Sequence, residues 1–244
     1  MCVKRVPMTG GKIVLTDDGQ AIETRHLGFT ISPHEECGVE EAVRLVEASG
    51  GESVVLTLGP PEAEEQLRDA MAIGADRAIH LVTGQEEWDP QATAAAVLEA
   101  IREDEAVNGA FDLVFFGNES ADSGGYQVGI RVAHAIGLKA VAIDAGSVRC
   151  EQEAAGTRDV YVLALPAVVS VKEGLNLPRY PSVPGRLRAQ RKPLEARTPA
   201  RPEQRLEKLR LVVPEGEGKQ AEVLGEGAAA APRVVEVLQQ IGVV

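Results

Sequence analysis

"DLVFFGNESADSGGYQVGIRVAHAIG", residues 112–137, joins an apolar run to a helix-like pattern through a turn rich in glycine and small polar residues. DLVFFG has the unbroken apolarity of a strand buried on both faces. QVGIRVAHAI spaces its apolar positions as a helix does. A strand that runs straight into a helix is half of a β-α-β unit, and the same unit recurs on either side.

Toward the N-terminus, MCVKRV reads as a short strand, and KIVLTDDGQAI as a hairpin turning at Asp18-Gly19. SPHEECGVEEAVRLVEASGG is a marked helix. Ser32 suits its N-cap, Pro33 its first turn, and Glu35 and Glu36 the positive end of its dipole. Val39, Ala42, Val43 and Val46 form its apolar stripe, and Gly50-Gly51 end it. SVVLTLG is a strand, PEAEEQLRDAMAIGA a helix with Leu67, Ala70 and Met71 inward, and DRAIHLV a strand. Asp89 can cap a helix through AAAVLEAI. Beyond the quoted stretch, KAVAID reads as a further strand. Uniform alternation of this kind predicts an α/β fold: a doubly wound parallel sheet, Rossmann-like, covered by helices on both faces. Ligands of such sheets bind outside the carboxyl ends of the strands, where the Gly-rich turn lies.

After residue 146 the rhythm changes. GSVRCEQ and RDVYVLAL read as an antiparallel pair, followed by PAVVSV. From about 172 the chain is rich in Pro, Arg and Gly, and a last helix is expected over 232–241 with Val234, Val235, Val237, Leu238 and Ile241 as its apolar set. Such a tail lacks a core of its own and is expected to wrap a partner or stay disordered. The expected organisation is a nucleotide-binding α/β domain over 1–164, a recognition segment over 165–194 and a C-terminal arm over 195–244.

The 244 residues carry a formal net charge of −12, which speaks against a nucleic-acid partner. The region 179–210 is nonetheless strongly basic, as a contact for an acidic protein surface or an anionic cofactor would be. Three cysteines, Cys2, Cys37 and Cys150, show neither a disulfide framework nor metal-ligand spacing. No apolar run is long enough to span a bilayer and no targeting segment is evident, so a cytoplasmic setting is expected.

A glycine-rich turn at a helix N-terminus offers backbone N–H groups to an anion. Gly124, Gly125 and Gly129 permit close approach, and Asn118, Ser120, Asp122, Ser123 and Gln127 can add polar contacts. The chain has no GxGxxG after its first strand, no GxxxxGK[ST] and no SGGxDS loop. His26, His34, His80 and His134 are scattered, and Ser120 and Ser123 lack an evident base. The residues therefore point to a binding protein rather than a hydrolase.

Several longer segments carry a resemblance. "VKRVP" (3–7), "SPHEECGVEEAVRL" (32–45), "AMAIGADRAIHL" (70–81) and above all "LPAVVSVKEGLNLPRYPSVPGRLRAQRKPL" (165–194) are similar to the β (small) subunit of electron transfer flavoprotein. The resemblance implies a heterodimer with an α subunit that holds most of an FAD. It also implies an electron carrier, not a stand-alone enzyme, that takes electrons from flavin dehydrogenases such as those of fatty acid oxidation and delivers them to a membrane quinone oxidoreductase. It implies a buried AMP, or in electron-bifurcating relatives a second FAD. Carried over by position, the nucleotide contacts are Cys2, Ser32, Pro33, His34, Glu35, Leu58, Gly117, Asn118, Glu119, Ser120, Ala121, Asp122, Ser123, Gly124, Gly125, Tyr126, Gln127 and Val128. The family's usual Asn is Ser32 here, and GKQAIDxD becomes GNESADSG, while Gln127-Val128-Gly129 also occurs in bifurcating members; AMP and FAD stay open. The resemblance further assigns partner docking to Arg179, Tyr180, Pro181, Ser182, Val183, Pro184, Gly185, Arg186, Leu187 and Arg188, with Val183 as the apolar anchor on a proline-stiffened loop. An alternative of another class is a regulatory nucleotide-binding domain of the stress-protein type, which would have no use for residues 165–244.

Overall fold

In the computed structural model, residues 1–8, 13–136, 146–154, 157–213, 224–225, 227–240 and 242 are described. The expected KAVAID strand, the Gly10-Gly11 pair and Ile241 lie outside them. The chain divides into two units, Met1–Leu211 and Val212–Val244.

The first unit is built on a parallel sheet. β3 (Val54–Gly59) pairs with β4 (Arg77–Val82), and β4 with an edge strand β9 (Leu194–Arg197). β5 (Leu113–Gly117) pairs in parallel with β8 (Ala167–Val171). The first residues of the chain stitch these two groups together. Cys2 bridges Leu56 in parallel, and its N–H donates to the Phe115 carbonyl at 2.9 Å. The chain then turns into β1 (Arg5–Pro7), which runs antiparallel to β2 (Phe29–Ile31).

Alternation along the strands feeds two cores. Leu56, Ile79 and Leu81 face Val97 and Ile101 of α3 (Pro90–Asn108) and Val132 of α4 (Gln127–Ile136). Val55 and Ala78 face Val39 of α1 (Pro33–Ser49), and Leu67 and Met71 of α2 (Glu64–Ile73). Helices thus cover both faces, as the apolar strands require. The Asp89 cap forms as expected: its carboxylate accepts from the Gln91 and Ala92 N–H groups at 2.7 and 2.8 Å. Asp18-Gly19 turns the small hairpin, with Gly19 at φ 64°, and a bridge joins Leu15 to Ile22. β6 (Ser147–Ala154) and β7 (Thr157–Ala164) form the expected antiparallel ribbon, on which Val160, Tyr161 and Val162 are exposed.

The proline-rich tail is more ordered than its composition suggests. Val183–Ala189 is a short helix, α5, where a stiff loop is expected. Ser182 caps it by accepting from the Gly185 N–H at 3.1 Å, and Pro184 sits in its first turn, which a helix tolerates. α5 lies hard against α2: a Cβ on Gly185 would stand 2.5 Å from the Ala72 carbonyl oxygen. Lys192 then caps the end of α2, donating to the carbonyls of Met71, Gly74 and Ala75. β9 follows at once, so residues 165–197 carry two strands, β8 and β9, that pair with β5 and β4 of the α/β body. Segment 198–211 is extended and tied down along the loop before α3. Arg201 pairs with Glu86, the Arg205 N–H donates to Asp89, and Lys208 pairs with Glu87 at 2.7 Å. In the second unit, α6 (Ala231–Gln240) exposes Val234 and Val235.

Two truncations check this division. Ending the chain after Leu211 should leave the unfolding midpoint within a few degrees of the full chain, measured by circular dichroism. Ending it after Lys192 removes β9 and the strap over the loop before α3, and should lower the midpoint by about 5 °C or more. Equal midpoints for the two truncations would place the end of the folded unit before Leu194.

Candidate functional site

The carboxyl ends of the central strands converge at one mouth. Lys4 leaves the sheet there, Gly117 ends β5, and the first turns of α1 and α4 pack against that end through Glu35 and Gly129. Gly117 is required by packing: a Cβ on it would lie 2.6 Å from Cγ of Glu35. That closeness sets the start of α1 directly over the end of β5. Gly129 sits close as well: its Cβ would stand 3.1 Å from the Phe116 side chain, a tight contact that brings the first turn of α4 to the end of β5.

Glu35 is buried, and its Oε2 accepts the Lys4 N–H at 2.8 Å. It also accepts from the backbone of Ser32, so Ser32 and Glu35 make half of a capping box. The other half is missing. Ser32 is fully buried, caps nothing, and its hydroxyl has no partner. Burial pushes the Glu35 carboxyl up to about 8, against the hydrogen bonds and the Lys4 charge that favour its ionised form.

The Gly-rich turn is held from within. The Gly124 N–H donates to the Ser120 carbonyl at 2.8 Å, and the Gly125 N–H to the Ser120 hydroxyl at 3.2 Å. The Gly124 and Gly125 N–H groups are thus taken up within the loop, whereas those of the first turn of α4, from Gln127 onward, have no partner inside the helix. Asp122 faces inward to Lys4, whose ammonium lies 2.8 Å from it and 3.2 Å from Glu87. Burial alone would lower the Lys4 ammonium, but Asp122 and Glu87 hold it above its ordinary value. With Lys208 on Glu87, an alternating chain of charge runs from the Gly-rich loop through Lys4 to the strapped tail. Glu119 lies 3.4 Å from the His34 ring, and Tyr126 hydrogen-bonds to Glu119.

Of the nucleotide contacts expected from the sequence, Glu35, Gly117 and the 118–128 loop come together at this mouth, with Ser32, Pro33 and His34 at the start of α1. Cys2 stands apart, inside the sheet between β3 and β5. Burial pushes its thiol up to about 11, so it stays neutral and packs as an apolar group. Leu58 is half-buried on β3 and packs against the α3 core. Lys4 and Glu87 are absent from that expected set. The signal for Lys4 was its place as the first charge after an apolar strand; Glu87 gave none. His80 is buried in β4 and meets the Gly59 carbonyl at 3.3 Å. Among the described residues, no group of three or more His, Cys, Asp or Glu could hold a metal ion, and no helix is long and apolar enough to cross a membrane.

The expected docking segment divides in two. Arg179 is a clamp: its guanidinium binds Glu40, which is buried, at 3.0 Å and Glu47 at 2.7 Å. Asn176 donates to the Cys37 carbonyl and to Glu41, both at 3.0 Å. Tyr180, Val183 and Leu187, by contrast, are 96%, 74% and 67% exposed. Val183 and Leu187 are one turn apart on α5 and form a single apolar ridge. Arg186 pairs with Asp69 at 2.9 Å, and Arg188 is exposed.

A family model for the electron transfer flavoprotein domain matches residues 21–202. Curated relatives are similar along most of the chain. The electron transfer flavoprotein subunit beta of Syntrophomonas wolfei is 34% identical over 97% of this chain and 93% of its own length. Those of Bacillus subtilis and Mus musculus are 34% and 33% identical over 79% and 80% of this chain, and 76% and 78% of their own lengths.

Glu35 makes the mouth sensitive to pH. Between its ordinary value of 4.5 and about 8, the folded state keeps a proton that the unfolded chain has lost. Its contribution to stability is therefore whole below about 4.5 and declines as pH rises toward 8. Glu35→Gln cannot ionise, so in urea unfolding the variant should gain on the native chain steadily from pH 5 to pH 8. Parallel pH profiles for the two would mean that Glu35 is ionised in the folded state.

Proposed function

The chain belongs to the electron transfer flavoprotein β-subunit family, and from that membership we propose that it is the small subunit of a heterodimeric electron carrier. In this proposal it holds an AMP at the mouth above β5 and pairs with an α subunit that keeps most of the FAD. Donor dehydrogenases dock on the α5 ridge, and the electrons pass on to a membrane quinone oxidoreductase. FAD supplies the redox chemistry; this chain supplies binding and orientation.

The observation that carries the nucleotide assignment is the convergence of two helix N-termini on one strand end, beside a buried serine hydroxyl with no partner. An unpaired buried hydroxyl costs free energy unless a ligand meets it. The two N-termini favour negative charge. The acidic groups nearby do not oppose this. Asp122 is paired with Lys4, and the Glu35 carboxyl is largely protonated at neutral pH. The residues present therefore fit an adenine nucleotide phosphate.

Docking rests on the contrast between clamped and presented residues. Val183 and Leu187 are small, exposed and fixed on a helix braced by Gly185, so little entropy is lost when a pocket takes them. Arg188 and the nearby basic residues suit an acidic rim and favour fast encounter.

The purified complex with its partner subunit gives the test. Its visible spectrum and the nucleotides released on denaturation should correspond to one flavin and one AMP per heterodimer. Two flavins and no AMP would instead assign the site to a second FAD. An absence of any adenine nucleotide beyond the one flavin would refute the cradle.

A further inference from the structure

The ring of His34, the second residue of α1, stands between two segments that are remote in sequence. Its Nδ1 accepts the Glu173 N–H at 2.7 Å. Its Nε2 lies 3.4 Å from the Glu119 carboxylate. Because Nδ1 accepts, the ring proton sits on Nε2 and is donated to Glu119. Both nitrogens belong to one rigid ring, so the ring cannot turn to follow one partner without straining the bond to the other.

Each partner is tied to a functional part. Glu119 belongs to the Gly-rich loop and is also hydrogen-bonded by Tyr126, which directly precedes α4. Glu173 opens the segment that carries the Asn176 and Arg179 clamps and leads to α5. The clamps fasten that segment to the body of α1. The strand pairing of β5 with β8 brings the loop and the arm together at their bases, where the Asn118 N–H donates to the Val171 carbonyl at 2.9 Å, and His34 adds a side-chain link beyond it.

We propose that His34 is a positioning residue that couples the Gly-rich loop to the docking arm, passing a displacement of Glu119 through its ring to the Glu173 backbone. The roles given to the two segments rest on the function proposed above, but the mechanical link does not. A ligand that draws the loop toward the mouth then alters how firmly the arm is seated, and a partner that shifts the arm alters the loop, since such coupling is reciprocal.

Amide hydrogen exchange in the full chain, read at single residues by NMR, tests the link without any nucleotide. Glu119→Ala frees the far side of the ring and should speed exchange of the Glu173 N–H about three- to tenfold, the worth of one hydrogen bond. His34→Asn keeps an acceptor for Glu173 in the position of Nδ1 but does not reach Glu119. It should hold Glu173 exchange within about twofold of the native rate and make it indifferent to Glu119→Ala. Unchanged Glu173 exchange in Glu119→Ala alone would overturn the proposal. So would the same acceleration by Glu119→Ala in the His34→Asn background, since the effect would then bypass the ring. Failure to bind AMP would bear on the proposed function and leave this outcome standing.

Discussion

The contact between Gly117 and Glu35 governs the geometry of the mouth. Only a residue without a Cβ lets α1 begin directly over the end of β5, because any other would press into the Glu35 side chain at 2.6 Å. Glu35 in turn receives the Lys4 backbone and the start of its own helix. Three pieces of chain are thereby fixed around one point: the end of the first segment, the start of α1 and the Gly-rich loop. Burial of a carboxyl is what makes this possible at a tolerable cost. Held neutral, Glu35 can sit at the centre without a full counter-charge, which a buried carboxylate would demand.

The segment that leads to α5 hangs on α1. Its buried Glu40 holds Arg179, its Cys37 carbonyl holds Asn176, and its His34 holds Glu173. An acidic protein thus uses much of its basic tail internally. Arg179, Arg186, Arg197 and Arg201 all meet carboxylates of the α/β body. What the tail presents outward is apolar as well as charged: Leu177, Tyr180, Val183 and Leu187 are exposed beside Arg186 and Arg188. The basic charge visible in composition is therefore as much the means of fastening the arm as a lure for partners.

The sequence made the alternating core legible because each element there declares itself locally. Apolar runs mark β3, β4 and β5, Leu67, Ala70 and Met71 mark one face of α2, and Asp89 caps α3 as a cap should. The elements that escaped are those made by distant partners. β9 reads LEAR, half of it charged, and becomes a strand only because the edge of β4 awaits it. α5 hides among prolines, its cap in Ser182. MCVKRV reads as a strand from its own residues, yet its place at the centre of the sheet comes from distant neighbours on both sides that bond to it. At the site, the glycine pattern located the loop, but the charges that shape the mouth join residues 83 and 118 positions apart, beyond any local pattern. The same holds for Arg179, whose partner Glu40 is 139 residues away.

The proposed nucleotide site lies where the N-termini of α1 and α4 meet the end of β5. Titration of the isotope-labelled chain, in complex with its partner subunit, with AMP would test it directly through backbone amide shifts. The largest and saturable shifts are expected at Gln127, Val128 and Gly129 and at Ser32 to Glu35, with Gly124 and Gly125 moving less because their N–H groups are already paired within the loop. Shifts centred elsewhere, or a complex in which AMP moves none of these amides while binding, would contradict it.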